Sequence, residues 1–202
     1  MRVAVLASGE GTNLQALLDN VHGQAGIEVV AAASDKAEAR ALERARASEV
    51  ETGVFSLERY GDRTARDGAM TSWLRARGTE LVVLAGYMQL LSDEFLGAFP
   101  GRIINVHPAL LPAFPGLRAV EQAIEYGVKV FGVTVHFVDA GVDTGPVILQ
   151  RAIELPDARS AEEVLERLHP IEHELLPQAV RLIARGAVRI DPECPRRVIV
   201  EP

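Results

Sequence analysis

The stretch Leu81–Leu84 reads LVVL, four apolar residues with no polar position among them. A strand with one solvated face alternates apolar and polar residues; a strand without alternation is covered on both faces, as in a parallel sheet. The segment has companions. Residues 2–7, 27–33 and 102–106 are short apolar runs, and a shorter one lies near 53–55. Between them fall segments of helical character: 12–21, with Leu14, Leu17, Leu18 and Val21 on one face, 36–47, 62–77, and 93–99 with Ser92 placed to cap it. Such alternation predicts an α/β fold, an open, mostly parallel twisted sheet of Rossmann-like type with helices on both faces. The pattern then changes. Residues 129–137 alternate, Val133, Val135 and Phe137 against Thr134 and His136, and 146–152 follow a Gly/Asp loop, so a late antiparallel strand pair is expected. A helix over 160–185 closes the body. No repeat or low-complexity linker interrupts the chain, so 1–190 reads as a single domain and 191–202 as a C-terminal tail, a frayed terminus.

Composition narrows the function classes. A chain of 202 residues, 48% apolar, can bury one full core. Its net charge of −7 argues against a nucleic-acid partner, which calls for a basic face. A small anion stays possible, because backbone amides bind phosphate locally. The single cysteine, Cys194, rules out an internal disulfide or a Cys-rich zinc site. The apolar start is too short for a secretory signal or a membrane span, so no membrane partner and a cytoplasmic location are expected.

Three segments can carry chemistry. The first, ASGEGTNLQAL over 7–17, takes a strand through a glycine turn into a helix. It lacks the third glycine of a dinucleotide fingerprint, since Leu14 stands there, and neither lysine of the chain, Lys36 or Lys129, makes it a P-loop. Two readings stay open: a site for one phosphate on the amides of Gly11, Thr12 and Asn13, or a plain turn capped by Thr12.

The second segment, INVHPALLPAFPG over 104–116, brings Asn105 and His107 to the carboxyl end of a strand, where open α/β sheets bind ligands. Residues two apart on an extended chain point the same way. An amide can donate to a developing oxyanion, and an imidazole can exchange a proton near neutral pH. Pro108, Pro112 and Pro115 restrict the exit loop. A solvated loop histidine is the alternative. The third segment, VDAGVDTGPV over 138–147, offers Asp139 and Asp143 between two strands. Asp143 can orient His107, or both can be ordinary turn aspartates.

Of the other histidines, His22 reads as solvated and His136 as a hydrogen-bonded strand residue. His169 and His173 are four apart on a helix, but Pro170 lies between them and no third ligand motif accompanies them, so no metal is expected.

Together these segments resemble the phosphoribosylglycinamide formyltransferase family, the folate-dependent enzymes of purine biosynthesis. The resemblance runs from Arg2 to about Ile190 through SGEGTNLQAL, LVVLAGYMQLL, INVHPALLPAFPG, GVTVHFVDAGVDTGPVILQ and IEHELLP. It implies one formyltransferase catalytic domain over 1–190, with 10-formyltetrahydrofolate as co-substrate and glycinamide ribonucleotide as acceptor. It implies a catalytic Asn105, His107 and Asp143, and a phosphate turn at Gly11, Thr12 and Asn13. It implies Glu172 as an acid against the glycinamide substrate, and a folate site at Arg63, Met88, Gln89, Leu90, Leu91, Asn105, Val138 and Ala140. It leaves monomer and homodimer both open. Two departures matter. The bacterial pattern has arginine where Gln89 stands, so a side-chain salt bridge to the folate's glutamate tail is not expected there. It often has serine at Ala109, so no hydroxyl role is assigned at that position. Methionyl-tRNA formyltransferases share the Asn/His/Asp core but add a C-terminal domain that helps bind tRNA, and a formyltetrahydrofolate hydrolase would carry an extra N-terminal regulatory domain; neither is expected here. A non-catalytic nucleotide-binding module would leave that core without a purpose.

Overall fold

The computed structural model describes residues 1–201. In chain order its elements are β1 (Arg2–Leu6), α1 (Thr12–Asn20), β2 (Glu28–Ser34), α2 (Arg40–Ala47), β3 (Glu51–Val54), α3 (Leu57–Tyr60), α4 (Arg63–Ala76), β4 (Leu81–Leu84), α5 (Asp93–Ala98), β5 (Ile103–His107), α6 (Ala119–Tyr126), β6 (Val130–Phe137), β7 (Val147–Glu154), α7 (Ala161–Ala184), β8 (Val188–Ile190) and β9 (Val198–Val200). Seven strands form one sheet in the order β3-β2-β1-β4-β5-β6-β7. β1 runs parallel to β2 and β4, and β2 parallel to β3, whereas β6 and β7 pair antiparallel. This is the expected α/β class, with its late antiparallel pair. The chain divides into two compact units, Met1–Ile104 and a second beginning at Asn105.

In the first unit the unalternating strands are covered as their composition demands. Val3–Leu6 and Leu81–Val83 have no exposed surface, and Leu14, Leu17, Leu42, Leu74 and Phe95 close over them. Each such side chain contributes roughly 1.5–3 kcal/mol relative to an exposed one. Helix starts follow side-chain oxygens. Asp62 accepts from the Ala65 amide at the head of α4, and Ser92 accepts from Phe95 at the head of α5. The helix expected over 36–47 begins only at Arg40, with Ala39 as an N-cap that has no side-chain bond.

In the second unit α7 runs unbroken through Pro170 and Pro177. A proline in a helix interior costs about 3 kcal/mol. Val164, Leu168, Leu175, Leu176, Ala179 and Val180, all buried on this helix, outweigh the two. Two elements depart from expectation. α6 lies where no helix was expected; Arg118, its N-cap, has φ 58 and no capping side chain, so the start carries no sequence mark. The tail is not frayed: β9 pairs antiparallel with β8, and the buried Asp191 between them takes Arg197 and the Glu193 amide as partners.

Candidate active site

Asn105 and His107 both belong to β5, and the strand expected to stop at Val106 includes His107. Pro108 accounts for the extra residue, because the position before a proline is driven away from helical backbone and towards extended. Residues two apart on this strand share a side, and both side chains meet one carboxylate. Asp143 stands in the loop between β6 and β7 with φ 52, a left-handed backbone uncommon outside glycine. Its Oδ2 accepts from the Gly116 amide at 2.7 Å and lies 3.4 Å from His107 Nδ1. Its Oδ1 accepts from Asn105 Nδ2 at 3.2 Å and lies 3.5 Å from His136 Nε2.

Burial alone would push the Asp143 carboxyl up. The His136 ring, the Gly116 amide and the charge on His107 together outweigh it and bring the group down to about 2. Asp143 is therefore ionised across the physiological range. Asp139, its neighbour in the loop, closes the turn instead. Its Oδ1 accepts from the Gly141 amide at 3.1 Å and from Thr144 Oγ1 at 2.6 Å. Gly145 lets the loop lie on β6, for a Cβ there would sit 1.7 Å from the Phe137 carbonyl oxygen.

The surrounding partners fix where protons sit. His107 Nε2 lies 2.9 Å from the Phe114 carbonyl oxygen, and its Nδ1 faces Asp143. Both neighbours are acceptors, so a doubly protonated ring satisfies both. His136 Nδ1 lies 2.8 Å from the Phe137 carbonyl, so this nitrogen carries a proton. Its Nε2 has two possible partners. A neutral ring accepts there from Asn105 Nδ2 at 3.2 Å; an imidazolium donates to Asp143.

The exit loop after His107 is held by β6 and β7 as well as by its prolines. Thr134 Oγ1 donates to the Ala109 carbonyl at 2.6 Å and accepts from Leu111 N at 3.1 Å. Gln150 Nε2 donates to that hydroxyl and to the Leu111 carbonyl, each at 2.9 Å. The Thr134 hydroxyl thus both donates and accepts, which suits a fully buried threonine.

In the first unit the glycine turn leads into α1 with Gly11, not Thr12, as its N-cap; Thr12 is the first helical residue. Gly11 has φ 71, and a Cβ on it would lie 2.6 Å from Ala41 Cα, so the position admits only glycine. Arg44 Nε donates to the Glu10 carbonyl at 2.8 Å and braces the turn from α2. The segment after β4 presents Met88 and Leu90, 59% and 62% exposed. The Met88 amide donates to Ser8 Oγ at 2.9 Å. Leu91 is half-buried. Arg63 is exposed in the first turn of α4.

In the second unit Val138 is half-buried and Ala140 exposed, both on the Asp143 loop. Glu172 is buried on α7. His169 and His173 stack at 6.2 Å, and burial, then the His169 charge, lowers the His173 pKa. Among the described residues no group of His, Cys, Asp and Glu could hold a metal ion, and no helix is long and apolar enough to cross a membrane.

The formyl transferase family pattern matches residues 1–180. The chain belongs to the formyl transferase family. It is 42% identical over 185 residues to phosphoribosylglycinamide formyltransferase of Bacillus subtilis (strain 168), covering 89% of this chain and 93% of that one. It is 41% identical over 190 residues to the trifunctional purine biosynthetic protein adenosine-3 of Bos taurus, covering 94% of this chain and 19% of that longer protein. Its structure is similar to the crystal structure of glycinamide ribonucleotide transformylase 1 from Symbiobacterium toebii, with a TM-score of 0.95 and 48% identity, covering 100% of this chain and 94% of that one.

Two histidines of this formyl transferase, read from sequence as a hydrogen-bonded strand residue (His136) and a solvated one (His22), have more specific partners in the structure. His136 belongs to the Asp143 cluster, and the signal was present, since it shares a strand face with the buried Thr134. His22, expected to be solvated, instead accepts a hydrogen bond from the Val29 amide at 3.1 Å through Nδ1.

Proposed function

We propose that this formyl transferase moves the formyl group of 10-formyltetrahydrofolate to the amine of glycinamide ribonucleotide. The products are formylglycinamide ribonucleotide and tetrahydrofolate, a step of de novo purine biosynthesis. Residues 1–190 act as one catalytic domain, in the cytoplasm, as a monomer or homodimer. The reading is carried above all by the Asp143 carboxylate, which gathers an amide and two imidazoles, set beside high identity to phosphoribosylglycinamide formyltransferases over nearly the whole chain.

The acceptor nitrogen attacks the formyl carbon, a C–N bond forms, and the carbonyl oxygen becomes an oxyanion. Asn105 and the His107 imidazolium donate to that oxygen. Donors of this kind are worth about 10²–10³ in rate each. In the free protein these donors face Asp143, His136 and the Phe114 carbonyl, so the substrate oxygen exchanges with a protein acceptor instead of finding an idle donor. The bond to the folate N10 then breaks. Asp143 pairs with the His107 imidazolium and, through water, helps carry the proton from the attacking nitrogen to N10.

The amides of Gly11, Thr12 and Asn13 at the head of α1 take the ribonucleotide phosphate. Glu172 faces the glycinamide. Met88, Gln89, Leu90 and Leu91, with Val138 and Ala140, hold the pterin, largely by backbone and apolar contact, and Arg63 meets the folate's acidic tail. The test is a spectrophotometric assay with both substrates beside a control lacking the nucleotide. Nucleotide-dependent loss of the formyl group is the expected result. Loss without nucleotide would make the protein a hydrolase.

A further inference from the structure

Arg66 is 1% exposed, the largest fully buried side chain of the protein, and its charge plays no part in the chemistry above. Its immediate partner is Asp67, with no exposed surface: Nε and Nη2 both lie 2.7 Å from Asp67 Oδ1. The remaining donors point into the segment after β4. Nη2 also donates to the Leu90 carbonyl at 2.7 Å, and Nη1 lies 3.4 Å from Gln89 Oε1. The other end of the Gln89 amide, Nε2, donates to Asp35 Oδ2 at 3.0 Å. A donor on one side and a carboxylate on the other leave this amide only one sensible orientation. Asp67 completes the frame, for its Oδ2 accepts from the Ser92 amide at 2.6 Å.

Gln89, Leu90 and Ser92 are thus tied in succession to one buried ion pair and, through Gln89, to the end of β2. The Met88 and Leu90 side chains are left outside the frame, exposed. A planar guanidinium with several donors at fixed angles suits such bracing; an ammonium would reach one or two of these acceptors at a time.

We propose that Arg66 is a positioning residue for folate: it sets the backbone of residues 88–91, with Gln89 turned inward as the link to Asp35 instead of outward to the ligand. This rests on the assignment of residues 88–91 to the folate site.

The informative variant is Arg66→Lys, which keeps a cation beside Asp67 and removes the fork. Gln89→Leu, which keeps the ion pair and cuts only the link, is the second. Both are compared with the unaltered chain by calorimetric titration with tetrahydrofolate, by KM for each substrate, and by thermal midpoint. The expected result is a Kd for tetrahydrofolate raised about tenfold in Arg66→Lys, the size of one lost charge-assisted hydrogen bond. Gln89→Leu should show a smaller rise, and the nucleotide KM should stay within about twofold in both. Unchanged folate affinity in both variants would overturn the proposal. So would a parallel rise of both KM values with a lowered midpoint, the mark of a merely structural role. If the unaltered chain binds tetrahydrofolate but transfers no formyl group to the nucleotide, the functional reading fails while the effect of Arg66→Lys on binding still decides this one.

Discussion

Asp67 and Asp143 are both carboxylates with little or no exposed surface, yet they are built to opposite specifications. Asp67 is fully buried and tied at 2.6–2.7 Å to a guanidinium that never loses its charge and to one backbone amide. Asp143 keeps 14% of its side chain exposed, and three of its four partners stand off at 3.2–3.5 Å. Two of those partners are imidazoles, whose ring nitrogens can either donate or accept. Short bonds to permanent charges hold a backbone in place. Longer contacts to titratable rings can be remade as charge develops. Burial of a charged group therefore says little about its role until its partners are named.

Removing one charge at each site should separate the two roles. Asp143→Asn keeps the shape but leaves His107 facing an amide; kcat, read well below the melting transition, is expected to fall on the order of 10³-fold or more, and the thermal midpoint at neutral pH falls as well, since the stability of the ionised carboxylate is gone. His107→Ala should act alike, and steady-state kinetics with nucleotide KM as the control would check both. Near-normal turnover in either would break the contrast. Asp67→Asn strands the Arg66 cation in the interior and should cost about 3–5 kcal/mol of stability, read by urea or thermal unfolding, with the surviving folded enzyme still turning over.

A pH series sharpens the comparison further. The Asp143 carboxyl titrates at about 2 in the folded chain, against an ordinary value of 3.8. A depressed folded value means stabilisation that is complete above the ordinary one and is lost as pH falls through the folded one. Between about pH 4 and 2 the unaltered chain should lose stability that Asp143→Asn never had, so their urea midpoints should converge as pH falls. The smallest effect is expected at Arg196, whose Nη1 donates to the Thr144 carbonyl at 2.7 Å from an exposed position. Arg196→Ala should cost about 0.5 kcal/mol or less in stability and change kcat no more than about threefold.

What could be read from the chain follows the same division. β4 was legible because four apolar residues in a row have few other solutions, and Ser92 because a hydroxyl before a helix has a local purpose. The pairing of β6 with β7 was legible from alternation and a Gly/Asp loop. Asn105 and His107 were legible as a pair at a strand end, but Asp143 alone reads as an ordinary turn acid, and the set of three rested on the resemblance to the phosphoribosylglycinamide formyltransferase family. α6 was not legible, since its start rests on the left-handed backbone of Arg118. Nor was the tail hairpin, where pairing depends on partners brought together by folding. Arg66 reads as one more arginine on a charged helix; only tertiary burial marks it. The Phe114 carbonyl is invisible to any reading of side chains, because every residue has one.

That carbonyl has a consequence for the resting enzyme. Phe114 lends its oxygen to His107 Nε2, so on the proposed mechanism the donor is sheathed while no substrate oxygen is there to claim it. On that mechanism a stray water meets a hydrogen already engaged, and the formyl oxygen displaces Phe114 in full only as attack by the amine turns it into an oxyanion. The backbone thus acts as a scabbard, and the reagent is unsheathed only by an oxygen that competes successfully for the same hydrogen.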